Sequence, residues 1–115
     1  MTAIICQPKI GRTDDEIRRT RERIREKLQA AGLTVSGPVY QDIWYRRRIL
    51  TDHGCKNHHL YDLSKDLQYM SFSDACYFAA GWKDDKNCEI MHEAAKAYGL
   101  VLLYEDQEER EEDDE

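Results

Sequence analysis

Residues 74–105, DACYFAAGWKDDKNCEIMHEAAKAYGLVLLYE, constrain the fold more than any other stretch of the chain. The apolar run Ala75-Cys76-Tyr77-Phe78-Ala79-Ala80 is too short for a helix and is bounded by Asp74 and Gly81. A polar turn from Gly81 to Lys86 follows. The next residues have helical periodicity, with Ile90, Ala94 and Ala97 on one stripe and Cys88, Met91, Ala95 and Tyr98 on the adjoining one. Gly99 stops that helix, and Leu100-Val101-Leu102-Leu103-Tyr104 begins a second buried run. Strand, helix and strand at these lengths make a βαβ unit, which requires a parallel sheet and a right-handed crossover. In such sheets ligands lie beyond the carboxyl ends of the strands, so the turn at residues 81–87 is where chemistry is expected.

One domain of 115 residues holds a core without staples. Its net charge of -6 is unevenly placed. Residues 105–115, EDQEEREEDDE, carry nine acids against Arg110, which leaves the rest of the chain at +2. The division expected is a folded domain over residues 1–104 and an acidic, disordered tail over 105–115. Cys6, Cys55, Cys76 and Cys88 show no CxxC spacing, which predicts reduced thiols and a cytoplasmic location. The first ten residues lack the basic head and apolar stretch of a signal peptide, and no apolar run approaches the length of a membrane span.

From the amino terminus, Thr2-Ala3-Ile4-Ile5-Cys6 reads as a strand that Pro8 and Gly11 interrupt. Thr13-Asp14-Asp15-Glu16 fits a capping box, in which hydroxyl and carboxylate each satisfy the other residue's N–H. The helix it opens runs to about Ala31, with Ile17, Ile24 and Leu28 inward and Gly32 as its stop. The arginines of its outer face, paired as in Arg18 with Glu22, suggest a solvated surface, and nucleic-acid contact is the minority reading. Leu33-Thr34-Val35 is the second strand or its approach, and Gly37-Pro38 bends the chain before Val39-Tyr40.

Between Gln41 and Leu60 the pattern is poor. A helical turn at residues 44–50 and a loop from Thr51 to His59 are expected. His53, Cys55, His58 and His59 are metal-ligand types, but they form a single cluster without paired ligands, so a polar loop is favoured over zinc and no metal is assigned. Arg46-Arg47-Arg48 beside Trp44 and Tyr45 could stack on bases. In a nearly neutral domain, a few of these side chains facing a small anionic ligand is the better reading. Residues 62–74 then read as a helix with Leu63, Leu67 and Met70 inward. Asp66 falls roughly 60–70° off that stripe, at its solvated edge.

Three stretches resemble the nucleoside 2-deoxyribosyltransferase-like superfamily, in particular its small bacterial and phage members of unassigned function. These are Gln7-Pro8-Lys9-Ile10-Gly11 after the first strand, Leu63 to Phe78, and Gly81-Trp82 followed by His92-Glu93-Ala94-Ala95-Lys96-Ala97-Tyr98-Gly99. The resemblance runs from Ile4 to Glu105 and is weakest over residues 41–60. It implies an α/β, flavodoxin-like (Rossmann-like) three-layer sandwich with a parallel sheet of four or five strands. It also implies a site for a nucleoside or nucleotide, no cofactor, and assembly as a dimer or larger. Active relatives form a covalent sugar intermediate on a helix glutamate. The carboxylate attacks the anomeric carbon and balances the oxocarbenium-like charge, while a second acid moves a proton to or from the base.

Carried over by position, Asp66 matches the aspartate that acts on the base. Asp85, with Asp84 a near rival, matches the acid that holds the sugar hydroxyls. Gln7, Pro8 and Gly11 match the lining of the base and sugar pocket, and Gly81 and Trp82 count among the substrate-binding residues that the resemblance implies. Arg12 and the N–H groups at the Asn87 helix start are placed to meet a 5′-phosphate. The family's nucleophile, eight residues before Gly99, is here Met91, and a thioether cannot do that work. Glu89 and Glu93 lie two positions away, about 200° round the helix. Three accounts stay open: a substitution in an active enzyme, natural loss of catalysis, or a displaced register in which Glu89 or Glu93 acts. The expectation is a nucleoside- or nucleotide-binding protein, weak or inactive as an N-glycosidase or deoxyribosyltransferase. Its alternative is a non-catalytic module for a nucleotide-derived signal or a protein partner.

Overall fold

The computed structural model describes residues 1–37 and 43–106, without the side chains of 43–46. The expected bend at Pro38, the Val39-Tyr40 segment, the stacking role of Trp44 and Tyr45, and the tail from 107 onward lie outside the described residues. The elements are β1 (Thr2–Cys6), α1 (Asp14–Ala30), β2 (Thr34–Ser36), α2 (Ile43–Asp52), α3 (His58–Met70), β3 (Ala75–Phe78), α4 (Lys86–Ala97) and β4 (Val101–Tyr104). A 3-10 turn, Trp82–Asp84, precedes α4. The four strands are all parallel, in the order β2-β1-β3-β4. Helices flank this sheet in an α/β arrangement compatible with a flavodoxin-like three-layer fold. No helix among the described residues is long and apolar enough to cross a membrane.

Alternation along the strands sends successive side chains to opposite faces of the sheet. Ile4, Cys6, Cys76 and Phe78 join Leu63 and Met70 of α3 and Cys88, Met91 and Ala95 of α4 in one apolar cluster. Ala3, Ile5, Ala75 and Tyr77 join Ile24 and Leu28 of α1 in the other. Ile17, Ile24 and Leu28 are all buried, as the helical period requires. The helices α3 and α4 depart from their expected stripes. Leu67 is 36% exposed and Ile90 47%, while Asp62 and His92 take buried positions instead.

Local chemistry explains where the helices begin. The Thr13 hydroxyl accepts from the Glu16 N–H at 3.2 Å, and the Glu16 carboxylate accepts from the Thr13 N–H at 3.2 Å, completing the capping box. On the outer face of α1, Arg18 pairs with Asp15 at 3.4 Å and Glu22 with Arg25 at 2.8 Å. The third helix starts at His58, not Asp62, because the Asn57 side chain caps it by accepting from the Leu60 N–H at 2.9 Å. The second helix occupies a full ten residues, so the expected loop from Thr51 to His59 contracts to residues 53–57.

Glu105, assigned to the tail from sequence, is tied to the fold. Its carboxylate accepts from the Ala80 N–H at 2.8 Å and pairs with Arg23 of α1. Burial raises its pKa, but the bonds from Arg23 and Ala80 outweigh that and hold it below the ordinary carboxylate value. Glu105→Ala is expected to cost about 1 kcal/mol in urea unfolding, the net worth of a partly solvated charged hydrogen bond.

Candidate functional site

In this strand order the chain leaves β1 toward β2 and leaves β3 toward β4, in opposite directions across the sheet. The loops after β1 and β3 therefore part at the carboxyl edge and leave a crevice, the usual ligand position in open α/β sheets. Asp85 ties the two loops together. One carboxylate oxygen accepts from the N–H groups of Asn87 at 3.0 Å and Cys88 at 3.1 Å, capping α4. The other accepts from the N–H groups of Lys9 at 3.1 Å and Ile10 at 3.4 Å in the loop after β1. Burial raises the Asp85 pKa; the N–H groups of Cys88, Lys9, Ile10 and Asn87 outweigh it and hold the group ionised below the ordinary range. These four donors fill the acceptor capacity of the carboxylate, so Asp85 organises the site and is not placed to hold a sugar.

Beside this clamp lies a cavity of about 720 Å³. The loop after β1 contributes Lys9, Ile10, Gly11 and Arg12, and α1 contributes Asp14. Arg47, Arg48, Thr51 and Asp52 come from α2, and His59 and Asp62 from the first turns of α3. Four cationic side chains thus share the walls with three carboxylates. The first turns of α1 and α3 border this space through Asp14, His59 and Asp62. Guanidinium groups here can pair with an anion, while carboxylates can accept from hydroxyl groups.

The residues singled out from sequence distribute unevenly around this cavity. Gly11 and Arg12 line it. Pro8 and the Arg12 guanidinium also close over Gly81, where a Cβ would stand 3.7 Å from Pro8 Cγ and 3.5 Å from Arg12 Nη2. Gly81 has φ +83°, a left-handed conformation that disfavours any side chain there. Asp66 is not in the lining; its carboxylate lies 3.8 Å from the ammonium of Lys9, which is. Gln7 is buried and donates its amide to the Ile17 carbonyl at 2.9 Å. The Asn87 side chain donates to the His59 carbonyl at 2.9 Å, and its N–H is already taken by Asp85. Asp84 is exposed on the 3-10 turn.

Trp82 and Met91 belong to the core. The indole stacks on His92 at 4.4 Å and packs on Phe78 at 5.1 Å, and His92 Nε2 meets the Tyr104 hydroxyl at 2.6 Å. Met91 is 2% exposed in the cluster with Cys6, Leu63, Phe78 and Cys88; residues 66, 85 and 91, matched to one site from sequence, are all absent from the cavity lining. Glu89 and Glu93 are exposed on the outer side of α4, which gives no support to the displaced register.

Sequence reasoning missed Lys9, Ile10, Asp14, Thr51, Asp52 and Asp62 as lining residues. The basic run at 46–48 was the usable signal, and two of its members, Arg47 and Arg48, face the cavity. Among the described residues no group of three or more His, Cys, Asp or Glu side chains is arranged to hold a metal ion. All four cysteines are free thiols, and burial pushes the thiol pKa values of Cys6 and Cys76 up, away from nucleophilic use. In comparisons with known proteins, no family model, no curated protein and no solved structure matches this chain.

Proposed function

We propose that this chain binds a nucleoside 5′-phosphate or a closely related nucleotide in the cavity between the loop after β1 and α2, without cleaving its glycosidic bond. The observation that carries the reading is the convergence of Lys9, Arg12, Arg47 and Arg48 on one cavity at the carboxyl edge of a parallel sheet. Two or more guanidinium groups match the geometry of a phosphate dianion, and helix amino termini favour the same charge. The resemblance of the Gln7–Gly11 loop and the Gly81–Gly99 segment to nucleoside-handling proteins supports a nucleotide as the source of that phosphate.

Catalysis is left out of the reading for a chemical reason. No carboxylate replaces the thioether at position 91, and that side chain is enclosed by apolar neighbours. Isothermal calorimetry against the four deoxynucleoside 5′-monophosphates tests binding, and chromatography of the same mixtures tests base release. Saturable binding without free base is expected. The double variant Arg47→Gln with Arg48→Gln is expected to weaken binding by about tenfold or more, since each charged hydrogen bond lost costs about 1.5–3 kcal/mol when desolvated and less when exposed. Unchanged affinity in that variant, or release of base by the unaltered chain, overturns the reading.

A further inference from the structure

We infer that two copies of this chain join through β4, the two strands pairing antiparallel about a two-fold axis to make one continuous sheet. No residue of α4 or β4 lines the cavity, so this pairing is independent of the ligand reading.

Among the described residues β4 is an outer strand, with β3 on one side and no strand on the other. Alternation along it decides which backbone groups are left over. The Val101 N–H donates to the Asp74 carbonyl at 3.0 Å, and the Glu105 N–H to the Phe78 carbonyl at 2.9 Å. The odd-numbered residues therefore bond to β3, and the N–H and C=O of Leu102 point to the open side. Sheets guard such edges with charged side chains, proline or a bulge. The segment Leu100-Val101-Leu102-Leu103-Tyr104 has no charge and no proline, and its register with β3 is unbroken. Val101 is 45% exposed, and Tyr98, three residues before it, 85%. Apolar side chains in water beside an open backbone edge mark a surface that a further strand covers.

A second copy fits as that strand. A two-fold axis through Leu102 sets this residue opposite its own counterpart, and Val101 opposite Leu103 of the second copy. Each face of one sheet then continues the same face of the other, and the outward groups of the two Leu102 residues satisfy each other. Charge favours the antiparallel direction. The chain enters β4 from Lys96, in the last turn of α4, and leaves it through Glu105 and Asp106. Antiparallel pairing sets the acidic end of each copy beside the basic end of the other, whereas parallel pairing would set like charges together. The sequence 107–115 contains no apolar side chain to lay along this edge instead.

Sedimentation equilibrium and amide hydrogen exchange on the full chain test this. Four-residue strands bury little area, so a weak dimer is expected, dissociating at about 10–100 µM. Exchange of the Leu102 amide is expected to slow severalfold as concentration rises through that range. Val101→Lys puts a charge on the edge and keeps the backbone bond to Asp74. It is expected to weaken the dimer by about tenfold or more, with urea unfolding showing that the variant is folded. Tyr98→Glu, at an exposed side chain, sets a carboxylate toward Asp106 of the second copy. It is expected to weaken the dimer as well, and less so at high salt. A monomer at about 500 µM, a dimer unmoved by both substitutions, or a Leu102 amide indifferent to concentration overturns the inference. So does growth beyond a dimer, because two-fold pairing is closed. In each case nucleotide binding stands or falls by its own experiment.

Discussion

Replacing Met91 with glutamate is expected to destabilise the domain by about 3–5 kcal/mol, the range for a buried charge left without a partner, and to release no nucleobase. The resemblance drawn from sequence would put an attacking carboxylate at this position, so the substitution looks restorative on those grounds. The surroundings give the opposite expectation. Met91 is 2% exposed and its neighbours Cys6, Leu63, Phe78, Trp82 and Cys88 offer little to solvate an anion. Burial of an unpaired carboxylate raises its pKa or forces the helix to open, and either outcome costs stability. Met91→Leu, which nearly conserves volume, should cost less than about 1.5 kcal/mol and serves as the control. Urea unfolding and chromatography of nucleotide mixtures measure both halves. A glutamate variant that keeps its stability and liberates base would show that residue 91 reaches a ligand cleft, and the non-catalytic reading would be lost.

The second large effect belongs to Asp85. Removing its carboxylate in Asp85→Ala uncaps α4, which typically costs about 1 kcal/mol. It also leaves the Lys9 and Ile10 N–H groups without their acceptor, adding about 1–3 kcal/mol if they stay buried. A total of about 2–4 kcal/mol in urea unfolding is expected. Ligand affinity should fall as well, because Lys9 and Ile10 line the cavity and are fixed by this contact. Asp85→Asn separates the two roles. Its one remaining oxygen can still cap the helix, whereas its NH₂ group would face two N–H donors from the loop.

Acid sensitivity follows from the same residue. The folded-state pKa of Asp85 lies below its ordinary value. Its stabilisation is therefore complete above the unfolded pKa of about 3.9 and is lost as pH falls through the lower folded value. Glu105 and Glu16 are shifted in the same direction, Glu105 by Arg23 and Ala80 against burial and Glu16 by its bonds with Thr13. Stability should fall below about pH 4, and the slope should be shallower in Asp85→Ala than in the unaltered chain. Identical acid limbs for the two proteins would remove Asp85 from this account.

Much of the architecture was legible in the residues because its causes are local. The short apolar run at Ala75–Phe78 between Asp74 and Gly81, periodicity in residues 86–97 and the glycine at 99 identify a βαβ unit without any knowledge of the rest. The capping box at Thr13 and Glu16 is a contact across three residues, so its pattern is visible in four letters. Asn57 acts over the same short range, yet it was missed because the histidines after it resemble a polar loop.

The site is different in kind. Asp85 and Lys9 are 76 residues apart in the chain, and nothing in either neighbourhood specifies the other. Helical period sets which residues share a stripe, but the neighbour that stripe meets is set by how helices cross the sheet. That packing put Met91 and Trp82 inside with His92 and left Ile90 outside. It also brought the second helix over the loop after β1, where two arginines from an unremarkable basic run meet Lys9 and Arg12. The chain alone determined its strands, most of its helices and the edge of the sheet at which the candidate site lies. Only the tertiary structure decided which side chains reach that edge, because long-range contacts carry no local periodicity for a sequence to display.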